Sequence, residues 1–267
     1  MSHFASIVLL GLSLGLALPD PSVAASGPEK KAPATKPAPP PQDRAPFPYP
    51  GDALSSTPGV SLRLVELERK RTPGTIEVDY RLEGKGFPQG KVYRLWQLSL
   101  AGAPEALCGA LVADPTGGLV PDAKAAIEES SLCPPLSSIE LGAYEYMPGE
   151  PYRVAIISTD DSVRAVATAF PHPIEGADGP HRMLLEMTSG DRRSFTLWGT
   201  GFGRDKSLTT SMTTDGGTYQ GAAFSDADGN VRILLNAPQG ERGGTVTYEV
   251  RGSEGRPRLT YRWGAAR

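Results

Sequence analysis

The sequence predicts an all-β protein built as two tandem antiparallel β-sandwich modules, and three observations predict it. With 31 Gly and 26 Pro among 267 residues, the chain carries too many breakers for a helical bundle. Runs such as Thr75-Ile76-Glu77-Val78-Asp79-Tyr80 and Val246-Thr247-Tyr248-Glu249-Val250 alternate with period two, the mark of half-buried strands. The chain also repeats itself. Gly84-Lys85-Gly86-Phe87 is matched by Gly199-Thr200-Gly201-Phe202, and Asp114-Pro115-Thr116-Gly117 by Asp226-Ala227-Asp228-Gly229.

Taken in order, residues 4–18 form an uncharged apolar run, shorter than the roughly 20 residues a membrane span needs. Pro19 and Pro21 follow, then the small residues Ser22 to Ala25. That succession predicts a signal peptide over 1–25, cut after Ala24 or Ala25, although Met1-Ser2-His3 carries no Lys or Arg. Residues 26–50 are Pro-rich and poor in bulky apolar side chains, which predicts a disordered or semi-rigid linker. Module 1 is expected over 51–171, a linker over 172–183 and module 2 over 184–267. Within module 1, residues 118–148 read as an insertion that module 2 lacks. Asp122–Ser131 is its expected helix, since Ala123, Ala125 and Ala126 favour helix and Asp122 can cap it.

Turns at Thr159-Asp160-Asp161-Ser162, Asp215-Gly216-Gly217 and Asp228-Gly229-Asn230 separate the strands. Strands punctuated in this way, in blocks of about 80–110 residues, point to sandwiches of immunoglobulin-like type. The strand followed by Gly-x-Gly-Phe, the later Asp-x-x-Gly turn and the closing alternating strands resemble bacterial secreted immunoglobulin-like modules, including the IPT/TIG group. What that resemblance implies is an extracytoplasmic binding, spacer or adhesion role without catalysis.

The candidate chemistry is sparse. After signal removal only His172 and His181 remain to serve a nucleophile, and neither Gly-x-Ser-x-Gly nor His-Glu-x-x-His occurs. No phosphate-binding Gly-x-x-x-x-Gly-Lys-[Ser/Thr] loop occurs, and both Gly-x-Gly-Phe copies lead into strands, so Phe87 and Phe202 are expected to plug sandwich ends. His172, Glu175, Asp178 and His181 could ligate metal, but their spacing and the surrounding Gly and Pro favour a polar linker. Asp226, Asp228 and Asn230 begin like a calcium loop, yet Gly229 comes too early for one, and a hairpin turn accounts for them. Trp96 and Trp198 lie within strand patterns and are expected in cores. Tyr144 and Tyr146, beside the insertion, are the candidate ligand surface.

Two Cys in a chain bound for an oxidising compartment predict a Cys108–Cys133 disulfide that anchors the insertion. The net charge of -3 gives no general pull toward nucleic acid. It is unevenly placed, since module 1 is acidic and module 2 is Arg-rich, an arrangement open to docking of the two, to an anionic ligand, or equally to solvated faces that serve no partner. The expectation is a secreted or periplasmic, non-catalytic binding or structural protein, with an envelope protein or glycan as partner. It needs no cofactor, metal or nucleic acid, and it does not insert stably in a membrane once the signal is cut. The competing class is a carboxylate- or metal-dependent hydrolase that no motif marks.

Overall fold

The period-two runs become strands. A computed structural model describes residues 47–72, 75–122, 133–237 and 242–264. The expected signal peptide, most of the Pro-rich segment and all but the first residue of the expected helix Asp122–Ser131 lie outside these residues. In chain order a short helix α1 (Gly51–Ser55) precedes β1 (Ser61–Thr72), β2 (Thr75–Lys85), β3 (Val92–Leu98), β4 (Glu105–Ala113), β5 (Leu119–Pro121), β6 (Glu140–Ala143), β7 (Tyr152–Ser158) and β8 (Arg164–Ala169). There follow β9 (Ile174–Asp178), β10 (His181–Met187), β11 (Ser194–Thr200), β12 (Ser207–Thr214), β13 (Gly217–Phe224), β14 (Val231–Asn236), β15 (Gly243–Arg251) and β16 (Arg258–Gly264).

These strands form four antiparallel sheets: β1-β2-β6, β5-β4-β3-β7-β8, β14-β11-β10-β9 and β13-β12-β15-β16. The first two enclose one core, which includes Leu82, Tyr93, Leu95, Leu111, Tyr152 and Ile156. The last two enclose a second, which includes Met183, Leu197, Phe202, Val250, Tyr261 and Trp263. The chain is thus two tandem β-sandwiches with one connectivity. The order β1-β2-β6 recurs as β10-β11-β14, and β4-β3-β7-β8 recurs as β13-β12-β15-β16.

Two expectations need correction. Residues 172–183, expected as a linker, form β9 and the start of β10, a hairpin at the edge of the third sheet. Pro173, Gly179 and Pro180 bound these strands, while Gly176 lies inside β9, where a Cβ would meet the Arg258 carbonyl oxygen at 2.3 Å. The 118–148 stretch is not wholly an insertion either, because β6 takes beside β2 the place that β14 takes beside β11. The disulfide forms as expected: Cys108 on β4 joins Cys133, with Cα atoms 5.4 Å apart. It ties the chain at Cys133 to the second sheet, closing a loop worth about 3 kcal/mol on the loop-entropy account.

The repeat is exact in backbone detail where the sequence match is strongest. Gly86 has φ +78°, and a Cβ there would lie 2.1 Å from the Gly59 carbonyl oxygen. Gly201 has φ +81°, and its Cβ would lie 2.4 Å from the Pro180 carbonyl oxygen. Gly59 and Pro180 both sit just before the first strand of the repeated unit, so each glycine admits the same incoming chain. Phe87 and Phe202, next in sequence, are buried in their respective cores, as expected. The Asp turns match too: Asp114 Oδ1 accepts from the N–H groups of Thr116 and Gly118, and Asp226 Oδ1 from those of Asp228 and Asn230.

Alanine at Gly86 or Gly201 must therefore displace backbone as well as adopt a left-handed conformation. Each substitution should cost about 3 kcal/mol in urea unfolding. Gly90, also at positive φ but with nothing within 4 Å of an added Cβ, should cost only about 1 kcal/mol as alanine. Equal costs at Gly90 and Gly201 would show that the close approach imposes nothing.

Candidate functional site: a cleft between the sandwiches

The outer faces of the second and third sheets are covered, while those of the first and fourth face water. Strands β15 and β16 alternate between buried and exposed, whereas β7, β10 and β11 are buried at nearly every position. A strand apolar on both faces is covered on both. Here the covering partner is the other module. Between the two faces lies a cavity of about 660 Å³. Trp96 and Leu98 from β3, Arg153 from β7 and Arg164 and Thr168 from β8 line one wall. Glu186 from β10, Trp198 from β11 and Arg232 from β14 line the other, and the segment Tyr49–Ser55 contributes to the rim.

Glu186 is the centre of this arrangement, only 5% exposed. Its Oε2 accepts from the Trp198 indole N–H at 2.5 Å and from the Tyr49 hydroxyl at 2.8 Å. Its Oε1 forms an ion pair with the Arg153 guanidinium, which also donates to the Tyr49 oxygen at 3.2 Å. The Tyr49 ring stands edge-on to Trp198 at 5.3 Å and to Phe170 at 5.4 Å. Burial, and then the Glu186 carboxylate, push the Tyr49 hydroxyl well above its ordinary range, so it stays a proton donor. One carboxylate thus joins module 1, module 2 and the segment that precedes both.

That segment also covers an exposed edge. The alternate N–H groups of β8 at Arg164, Val166 and Thr168 are accepted by Thr57 Oγ1 at 2.9 Å, Ser56 Oγ at 3.0 Å and Asp52 Oδ2 at 2.9 Å. A free strand edge invites foreign pairing, and side-chain oxygens here take the place of a neighbouring strand. Asp52 also accepts from the Thr168 hydroxyl at 2.6 Å. Burial pushes its carboxyl up to about 6 even though the Thr168 hydrogen bonds oppose the shift.

Both carboxylates of the cleft therefore hold its walls: each oxygen of Glu186 and of Asp52 accepts from the protein itself. The cations differ. Arg153 is paired, but Arg164 and Arg232 form no ion pair among the described residues, and Arg232 lies over the Trp198 ring at 5.1 Å. The arrangement can bind an anion and present an aromatic face to it.

The residues expected from sequence fare unevenly. Tyr144 is exposed and donates to Asp79 at 3.0 Å, whereas Tyr146 packs against the first core, edge-on to Tyr152. The two therefore do not form one exposed platform. Trp198 is buried as expected, only 6% exposed, but at the cleft wall and outside both core clusters, whereas Trp96, also expected in a core, is half-buried and lines the cleft. The possible metal ligands are dispersed: His181 is buried against Phe202, Glu175 pairs with Arg182, and Asp178 accepts from the Arg256 N–H. Among the described residues no group of three His, Cys, Asp or Glu is placed to hold a metal. Sequence reading missed Tyr49, Asp52, Arg153 and Glu186.

Two measurements probe the cleft walls. Glu186→Gln leaves a largely buried Arg153 without its counter-charge and should destabilise the protein by about 3–5 kcal/mol. Glu186→Gln with Arg153→Met should recover most of that loss, since the amide oxygen can still accept from Tyr49 and Trp198, and a double variant as unstable as the single would show that the pair is not the source. The second measurement is the pH dependence of unfolding. The Asp52 carboxyl rises from 3.8 to about 6 on folding, so its contribution is full below pH about 4 and is lost as pH rises through 6. Relative to Asp52→Asn, the native protein should lose on the order of 2–3 kcal/mol between pH 4 and pH 7, and parallel profiles would contradict this.

No family model and no curated protein matches the chain. Among solved structures, the chain is similar to a tetra-tandem repeat in the extending region of a large adhesion protein, at 10% identity and a TM-score of 0.25. The match covers 76% of this chain and 48% of that one, so the chain spans about half the length of that structure. The fold assignment therefore rests on the strands, sheets and cores themselves.

Proposed function

We propose that this protein is a non-catalytic binding protein of an extracytoplasmic compartment, associated with the envelope or its glycans, whose ligand occupies the cleft between the two sandwiches. The observation that carries this reading is the position of Trp96 and Trp198. Trp96, half-buried, and Trp198, buried at the wall, stand outside both core clusters and line a cavity of about 660 Å³, within the size range of small-ligand sites. The disulfide supports an oxidising location, and among the described residues no helix is long and apolar enough to cross a membrane. The hydrolase alternative has less support, because the oxygens of Asp52 and Glu186 are engaged in holding the walls.

The experiment is titration of envelope glycans into the purified protein by calorimetry. Trp96→Ala should weaken binding at least tenfold, since the half-buried ring contributes contact area and little to either core. Tyr144→Ala should leave affinity within twofold. The reverse pattern would move the site to the surface around Tyr144 and overturn the cleft.

A further inference from the structure

We infer that the cleft is built for an acidic saccharide, a sugar ring bearing a carboxylate, with its apolar ring face on Trp96 and its carboxylate between Arg164 and Arg232. This deepens the reading proposed above and rests on it.

The charge balance of the lining comes first. Three arginines and two carboxylates line the cavity, in a chain whose net charge is -3. The carboxylates do not neutralise the arginines evenly. Glu186 is bonded to Arg153, and Asp52 is bonded to Thr168, so Arg164 and Arg232 keep their charge toward the cavity with no ion pair among the described residues. They come from opposite walls, Arg164 from β8 of module 1 and Arg232 from β14 of module 2. An anion between them would be held by both modules.

The geometry of Arg232 favours a carboxylate. Its guanidinium lies 5.1 Å from the centre of the Trp198 ring, a contact that steadies the cation while its N–H fork remains available for a planar two-oxygen acceptor. Trp96, Leu98 and Pro104 are among the apolar residues of the same lining. A pyranose ring offers a C–H face to such residues, and a uronate places a carboxylate at the edge of that same ring. A neutral sugar would leave both cations without a partner, and a bare phosphate would leave the indole uncovered.

The test uses the full mature protein and a panel of uronate oligosaccharides that differ in linkage, each paired with its methyl-esterified form, measured by calorimetry in low and high salt. At least one uronate oligosaccharide should bind, with its ester at least tenfold weaker. Arg164→Gln and Arg232→Gln should each weaken the acid about tenfold while leaving the ester unchanged. Both side chains are exposed, so the variants should melt as the native protein does, and binding should weaken as salt rises. Esters that bind as tightly as acids, with the same loss in Trp96→Ala, would overturn the acidic ligand and leave the cleft-binding function standing. Binding that ignores both arginine substitutions would do the same. Failure of every saccharide, acidic or neutral, would overturn both.

Discussion

The relation of the two sandwiches depends on the buried carboxylate of Glu186. Withdrawing that charge from water is costly, and the cost is met only if several donors converge on it. They come from three separate parts of the chain: Trp198 from the neighbouring strand, Arg153 from the other module, and Tyr49 from the segment ahead of both. A buried ion pair of this kind adds little to stability over an apolar contact of equal size. What it imposes is direction. Apolar faces slide over one another at small cost, but a carboxylate with named donors tolerates few arrangements, and the cleft keeps its walls because of it.

The two modules share a plan and differ where they meet solvent. In module 1, β5 pairs with β4, and the segment around Asp52 to Thr57 covers β8. In module 2, the counterpart of β4 is β13, an outer strand with Tyr219 and Phe224 exposed. The sandwich architecture therefore does not require the extra segments of module 1. The disulfide and the short strand β5 are additions to a common frame, placed on the module that also receives the leading segment.

Much of this frame was legible from the residues. Period two marks β15 and β16 because their sheet faces water on one side, and the paired Gly-x-Gly-Phe motifs locate the repeat because only glycine admits the incoming carbonyl at Gly86 and Gly201. The cleft was less legible, for a physical reason. Strands that meet another module on their outer face lose alternation, and Tyr152–Ser158 and His181–Met187 then look like ordinary core strands. The signal was present in Glu186 and Arg153, single charges of opposite sign inside apolar runs. Each needs a partner that its own strand cannot supply. Tyr49 was hidden by composition, since the Pro-rich stretch around it reads as tether although its last residues carry the aromatic that closes the network.

That last point alters how the leading segment should be understood. Pro48 and Pro50 flank Tyr49 and remove backbone N–H groups, so this stretch cannot join a sheet as a regular strand. It attaches mostly by side chains, Tyr49 to Glu186 and then Asp52, Ser56 and Thr57 to alternate N–H groups of β8, with one backbone bond from the Thr57 N–H to the Arg164 carbonyl at 2.8 Å. Attachment of this kind satisfies an edge without adding a regular strand, and the same segment lines a cavity. The proline content therefore has a structural consequence around residue 49. Without N–H groups at positions 48 and 50 the chain cannot pair there as a strand, and Pro50, with φ -79° and ψ -14°, turns it into α1 directly after Tyr49.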